Sequence, residues 1–250
     1  MEQRVSVQAA DHERVLLSTV TGEPFQPIRL YYAYPGRSAV AKVFRRLRCM
    51  SEDKDAGCWV WLYEREAAKL QFGHPREKLA PEVHPIVIGR FHLDKTGMFL
   101  AVRSQQRAVQ AAKFFKPFFG PEVVLARGRV VNRWFQLREA ADGLDRLDAL
   151  LDVDVTVINP SDAEARLERA MAGTTTPEEK QRALAAHLEE QMQRDVPLVE
   201  DFPLHANEET PDFRDLKFLL EIRMARAYEH WRGNTHVTLR DLIYRLVEGK

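Results

Sequence analysis

The stretch Pro85–Phe135, PIVIGRFHLDKTGMFLAVRSQQRAVQAAKFFKPFFGPEVVLARGRVVNRWF, decides the fold class. PIVIGRFHL is rich in apolar and β-branched residues and reads as a strand. DKTG supplies a turn, with Gly97 open to positive φ, and MFLAVR returns as the second arm of a hairpin. Ser104 stands where a helix wants its N-cap. In QQRAVQAAKFF, Ala108, Ala112 and Phe115 share one side and Arg107 and Gln110 another, until Pro117 forbids continuation. VVLARGRVVNRWF reads as a long strand, with Gly128 as the place where it would break. The order β-β-α-β predicts an α+β fold, a mixed or antiparallel sheet with helices on one face.

Upstream, RLYYAY (29–34) is aromatic and strand-like, and PGRS turns the chain, leaving Ser38 to cap a helix. In that helix Val40, Val43, Phe44 and Leu47 recur at helical spacing and form the buried stripe, so Lys42, Arg45, Arg46 and Arg48 fall outside it. SEDKDAG reads as a polar turn, CWVWLY (58–63) as a buried strand and REAAKLQF as a short helix, a first βαβ-like unit.

Downstream, GLDRLDALL reads as helical and DVDVTVINP alternates like a strand, while Ser161 and Glu164 have capping-box spacing. TPEE opens a helix at Thr176, and VPLVEDFPLHANEETP reads as a proline-rich connector. From Pro211 a helix carries Phe213, Leu216, Leu220, Met224, Ala227 and Trp231 on one face. Thr238 and Asp241 start a last helix, LRDLIYRL. These readings predict a sheet domain over 1–172 and an acidic, all-helical region over 173–250.

A chain of 250 residues with 45% hydrophobic and 30% charged residues is neither a peptide hormone nor wholly disordered. Its two cysteines, Cys49 and Cys58, supply no disulfide framework, and no run approaches the ~20 apolar residues that span a bilayer. A soluble, cytoplasmic protein is expected, with no membrane partner. The formal charge is zero but unevenly laid out. Residues 1–135 hold 22 basic and 13 acidic side chains, a net +9, and the remainder holds 15 and 24, a net −9. The densest cationic stretch runs from Arg103 to Arg133 and comprises Arg103, Arg107, Lys113, Lys116, Arg127, Arg129 and Arg133, with Glu122 the lone acid.

Catalytic patterns are sparse. Cys49, Cys58, His74 and His84 lack the short paired spacings of zinc sites and read as free thiols and ordinary histidines. His92 and Asp94, two apart on a strand, have the spacing of a base with its orienter or of two metal ligands, and phosphodiester cleavage would need further carboxylates from Glu64, Glu66 or Glu82. Asp152 and Asp154 flank Val153 as the outward side of a strand, and Asp212 and Asp215 sit in the first turn of a helix, where carboxylates meet its dipole favourably. YPGRS offers a helix start to a phosphate but lacks P-loop spacing, and GxGxxG and GxSxG do not occur. No cofactor and no metal is expected.

What remains is charge. Cations neutralise phosphates with release of counterions, and exposed rings stack on unpaired bases. The expectation is a non-enzymatic binding or assembly protein. Its basic surface, built from Lys42, Arg45, Arg46, Arg48 and the seven cations from Arg103 to Arg133, would meet DNA, RNA or another polyanion, and its acidic helices would contact protein or a second copy. Trp134 and Phe135 lie near these cations, Phe114, Phe115, Phe118 and Phe119 read as core, and the glycine-aromatic signature of RNA-recognition domains is missing. Two alternatives accompany this reading. One is an interaction or homo-oligomeric protein without nucleic acid, its oppositely charged halves docked on one another; the other is a metal-dependent hydrolase using His92 and Asp94.

Overall fold

The computed structural model describes residues 14–34, 36–94, 97–155, 160–193, 196–204 and 213–247. Among them seven strands form one sheet: β1 (Ile28–Ala33), β2 (Met50–Asp53), β3 (Cys58–Leu62), β4 (Val87–Leu93), β5 (Met98–Val102), β6 (Val124–Val131) and β7 (Val199–Pro203). Their spatial order is β2-β3-β4-β5-β1-β6-β7, and every neighbouring pair is antiparallel. The helices are α1 (Arg37–Phe44), α2 (Gln105–Phe115), α3 (Leu144–Asp148), α4 (Pro160–Met171), α5 (Pro177–Gln193), α6 (Arg214–Trp231) and α7 (Leu239–Val247). The protein is α+β, and none of its described helices is long and apolar enough to cross a membrane.

One face of the sheet carries the main core. Ile28, Leu30 and Tyr32 of β1, Trp59 and Trp61 of β3, Ile88 and Phe91 of β4, and Met98, Leu100 and Val102 of β5 are buried there. They meet Val40 and Phe44 of α1, Ala108, Ala111 and Phe115 of α2, and Leu216 and Leu220 of α6. Phe44 lies 4.7 Å from Phe91 and Phe91 lies 4.8 Å from Phe115, ring centre to ring centre, the second pair edge to face. Phe114, Phe115 and Phe119 belong to this core as expected, whereas Phe118 is exposed. A smaller cluster of Leu17, Phe25, Val131, Phe135, Leu147, Leu151 and Val199 fixes the segment after β6 against one end of the sheet.

The local signals around α2 hold. The Ser104 hydroxyl accepts a hydrogen bond from the Arg107 amide at 3.1 Å, a cap worth about 1 kcal/mol, and the helix ends just before Pro117. The caps expected at Thr176 and Thr238 are also present, each hydroxyl accepting from the amide three residues on while that residue's carboxylate accepts in return. α1 instead starts at Arg37, and Gly36 in the cap position offers no side-chain bond, so Ser38 lies inside the helix. Gly97 does not adopt positive φ; a Cβ there would sit 3.2 Å from the Tyr32 carbonyl oxygen, so its use is close approach. The proposed capping pair Ser161 and Glu164 and the helix start at Pro211 fall outside the described side chains.

Three readings change. The polar turn SEDKDAG contains an edge strand, β2, and β1 is separated from β3 by β4 and β5, so the first unit is not a pair of neighbouring parallel strands. DVDVTVINP does not begin as a strand: Ala149–Asp152 is a 3-10 turn and Val153 is exposed. The Leu151 and Val153 carbonyls accept from the Arg129 guanidinium at 2.8 and 3.1 Å and so have no need of a ladder partner. The connector of the supposedly all-helical region supplies β7, which pairs with β6. Gly128 enables this rather than breaking β6: Phe202 lies over it, and a Cβ would stand 2.3 Å from that ring. Pro203 is tolerated because β7 is an edge.

Candidate functional site

Alternation along the strands sets what the second face carries. Out of phase with the core are Arg29 and Tyr31 in β1, Arg90 and His92 in β4, Phe99 and Ala101 in β5, and Arg127 and Arg129 in β6, all partly exposed. The antiparallel register aligns them in two rows across five or six strands. One runs Cys58, His92, Phe99, Tyr31, Arg127; the next runs Val60, Arg90, Ala101, Arg29, Arg129, Asp201. An aromatic row therefore lies beside an arginine row.

The rings touch. His92 and Phe99 are stacked with centres 4.7 Å apart and planes 16° apart, and Phe99 and Tyr31 are tilted at 5.7 Å. Guanidinium groups sit against them: Arg29 is 4.9 Å from the Phe99 ring centre and Arg127 is 3.6 Å from that of Tyr31. Burial first, then the charges of Arg29 and Arg90, hold the His92 pKa below its usual value, so the imidazole is neutral at pH 7. The two flanking cations disfavour a further positive charge on this ring. Asp94 lies beyond the strand end in the hairpin turn, where its amide donates to the Gly97 carbonyl.

Carboxylates from the acidic half reach this face from one side. The buried Asp201 pairs with both Arg127 and Arg129, and the Asp201 hydrogen bond raises the Arg129 pKa. Arg29 meets Asp152 at 2.6 Å, and Arg103 meets Asp148 at 2.6 Å and Asp145 at 3.2 Å. On the opposite flank Arg90 has no carboxylate within 4 Å among the described residues. Between the two flanks a cleft of about 400 Å³ opens over Ala101, bounded by Arg29, Arg90, His92 and Phe99, by the β2–β3 turn at Asp53 and Ala56, and by α3 and Leu151.

The cations singled out from sequence divide into separate groups. Two- and four-residue spacing on an uninterrupted strand puts Arg127, Arg129 and Arg133 on one side. Arg127 and Arg129 do lie side by side on this face, with Arg103 bordering its cleft, but Arg133 does not join them because β6 ends at Val131. Arg133 lies past the end of β6, paired with Glu139 and stacked on Phe135 at 4.3 Å. Lys42, Arg45, Arg46 and Arg48 are exposed on and just after α1, the helix packed on the opposite face; Arg45 approaches Trp59 at 6.0 Å. Lys113 opens instead on a groove of about 530 Å³ between α2 and α6, which has no aromatic lining, and Lys116 sits 5.2 Å over Phe213. Arg107 is a core residue: it is 3% exposed, bonded to Glu23 at 3.0 Å and to the Thr21 hydroxyl at 2.6 Å. Burial raises the Glu23 pKa, but the Arg107 charge and the Thr19 and Thr21 hydroxyls outweigh it, so Glu23 stays ionised.

Sequence reasoning missed Tyr31, Phe99, Arg29 and Arg90. The available signal was phase, since each is out of step with a core residue on its strand, but phase alone does not say which strands are neighbours. Neither cysteine is poised for chemistry: burial, then Glu66, pushes the Cys49 thiol up to about 12, and burial, then Asp53, raises Cys58. Among the described residues no three His, Cys, Asp or Glu side chains converge on a metal position. Comparison with protein-family models, with curated proteins and with solved structures gave no match.

Proposed function

We propose that the protein is a non-enzymatic binding protein whose second, partly exposed sheet face holds single-stranded nucleic acid. The in-register row of His92, Phe99 and Tyr31, bordered by Arg29, Arg90 and Arg127, carries this reading. Unpaired bases stack on exposed rings for about 1–3 kcal/mol each, and neighbouring cations take the phosphates. A duplex buries its bases and gains nothing from such rings, so single strands are the preferred form. The α1 cations Lys42, Arg45, Arg46 and Arg48 face the other way and are not part of this surface.

The test is fluorescence anisotropy with labelled single strands of about a dozen nucleotides, RNA and DNA, between about 50 and 200 mM salt, with a duplex control. Binding should favour single strands and weaken with salt at a slope near −2, about 0.7 per phosphate for three phosphates. Phe99→Ala and Tyr31→Ala should each weaken it about tenfold. Absence of binding at low salt, or binding indifferent to both substitutions, overturns the proposal.

A second reading has its own observation. The ion pairs of Arg29, Arg103, Arg127 and Arg129 all reach carboxylates beyond residue 135, which is the internal docking of opposite halves that an interaction protein without nucleic acid would use. That reading predicts no oligonucleotide binding at any salt concentration.

A further inference from the structure

The cleft over Ala101 differs from the rest of the face. Here register sets a methyl group between two arginines, with Arg90 on one neighbouring strand and Arg29 on the other. The stacked His92 and Phe99 close one end. The far wall is fixed rather than mobile, since Leu147 and Leu151 on either side of Asp148 are buried in the smaller core at 6% and 1% exposure. A preformed hollow of about 400 Å³ lies in the range of small-molecule sites.

We infer that this cleft seats one nucleoside monophosphate unit, either a free nucleotide or one nucleotide of a bound strand. Resting on the reading of the face as a nucleic-acid surface, the assignment follows from what each side offers. A planar base entering over Ala101 is flanked by guanidinium groups and by a neutral aromatic pair, all of which favour a π-system. Arg90, which no carboxylate within 4 Å among the described residues neutralises, is the cation left for a phosphate. Asp145, paired through one oxygen with Arg103 at 3.2 Å and open to solvent, offers acceptors to ribose hydroxyls or base amino groups. An inorganic anion alone would use Arg90 and leave the rings idle. An apolar ligand would leave Arg90 buried beneath it without a counter-charge.

Calorimetric titration of the full chain with AMP and with UMP tests the assignment, alongside anisotropy of a single strand with and without added nucleotide. The expected result is saturable binding of free nucleotide, weakened at least about tenfold by Arg90→Gln and abolished by Ala101→Leu, which fills the hollow. Inorganic phosphate at the same concentrations should not bind. Competition of AMP against the strand marks the cleft as part of the strand's path; nucleotide binding without competition marks it as a site for the free form. If the strand binds and neither AMP nor UMP does, the cleft assignment fails while the face reading stands. If AMP binds and no strand does, the face reading fails and the cleft is a free-nucleotide site. Should Ala101→Leu unfold, Arg90→Gln decides alone, and unchanged AMP affinity in that variant overturns the assignment.

Discussion

The two faces of the sheet draw on the same strands and both carry aromatic rings, yet they use them differently. On the covered face Phe44, Phe91, Phe115 and Trp61 interlock, fully buried, ring against ring. On the other face His92, Phe99 and Tyr31 stand partly exposed in a single file, with guanidinium groups against them. The first arrangement gains its energy by excluding water from every side of the ring. The second leaves ring surface and positive charge available to something else. One sheet therefore separates its packed core from the face proposed for binding by the alternation of its side chains.

The sharpest way to break this contrast is to truncate a ring on each face. Phe91→Ala should cost about 3–5 kcal/mol in chemical denaturation, the range for an aromatic removed from a packed core. Phe99→Ala, one position from the same strand pairing, should cost about 1 kcal/mol or less, since it loses only cross-strand contacts. Equal losses at the two sites would erase the distinction.

Charge gives the next contrast. Glu23→Gln leaves Arg107 buried without its anion and should destabilise by about 3–5 kcal/mol, whereas Arg46→Ala on the exposed surface should change stability by less than about 0.5 kcal/mol. At the sheet edge, Gly128→Val drives a side chain into the Phe202 ring and should cost about 1–3 kcal/mol by prising β7 from β6. A neutral outcome would mean that β7 contributes little.

The smallest effect is a pH dependence. Because the folded His92 pKa lies below the unfolded value, the unfolded chain takes up a proton first as the pH falls. Stability contributed by the neutral ring is complete above about 6.5 and declines below it. Comparing denaturation midpoints of the wild type and His92→Phe at neutral and mildly acidic pH isolates the effect: the gap should shift in favour of the variant as the pH drops. A constant gap would show that the ring is no more buried than in the unfolded chain.

The elements between Pro85 and Val131 were legible because each is bounded by a residue with one local use, such as Ser104 at the start of α2 or Pro117 past its end. The aromatic and arginine rows were not. Tyr31 and Phe99 lie 68 positions apart and become neighbours only through the β1–β5 register, which no single strand encodes. β7 was hidden by Pro203, since an edge strand tolerates what a central strand forbids. Arg107 looked like a surface cation because its partners, Thr21 and Glu23, come from a loop that folds back over the start of α2. Among the cations, spacing put Arg127, Arg129 and Arg133 on one side, which holds for the first two and fails for Arg133 because β6 ends at Val131. It had no means of showing that α1 and its four cations sit on the opposite side of the sheet.

Ultraviolet crosslinking of a single-stranded oligonucleotide to the full chain, followed by peptide mapping, tests the central claim directly, because it reports which face the bases touch. The account predicts adducts on the β1 and β4–β5 peptides that carry Tyr31, His92 and Phe99, suppressed by excess unlabelled strand. Adducts confined to the α1 peptide with Lys42, Arg45, Arg46 and Arg48, or no suppressible adduct at all, would contradict it.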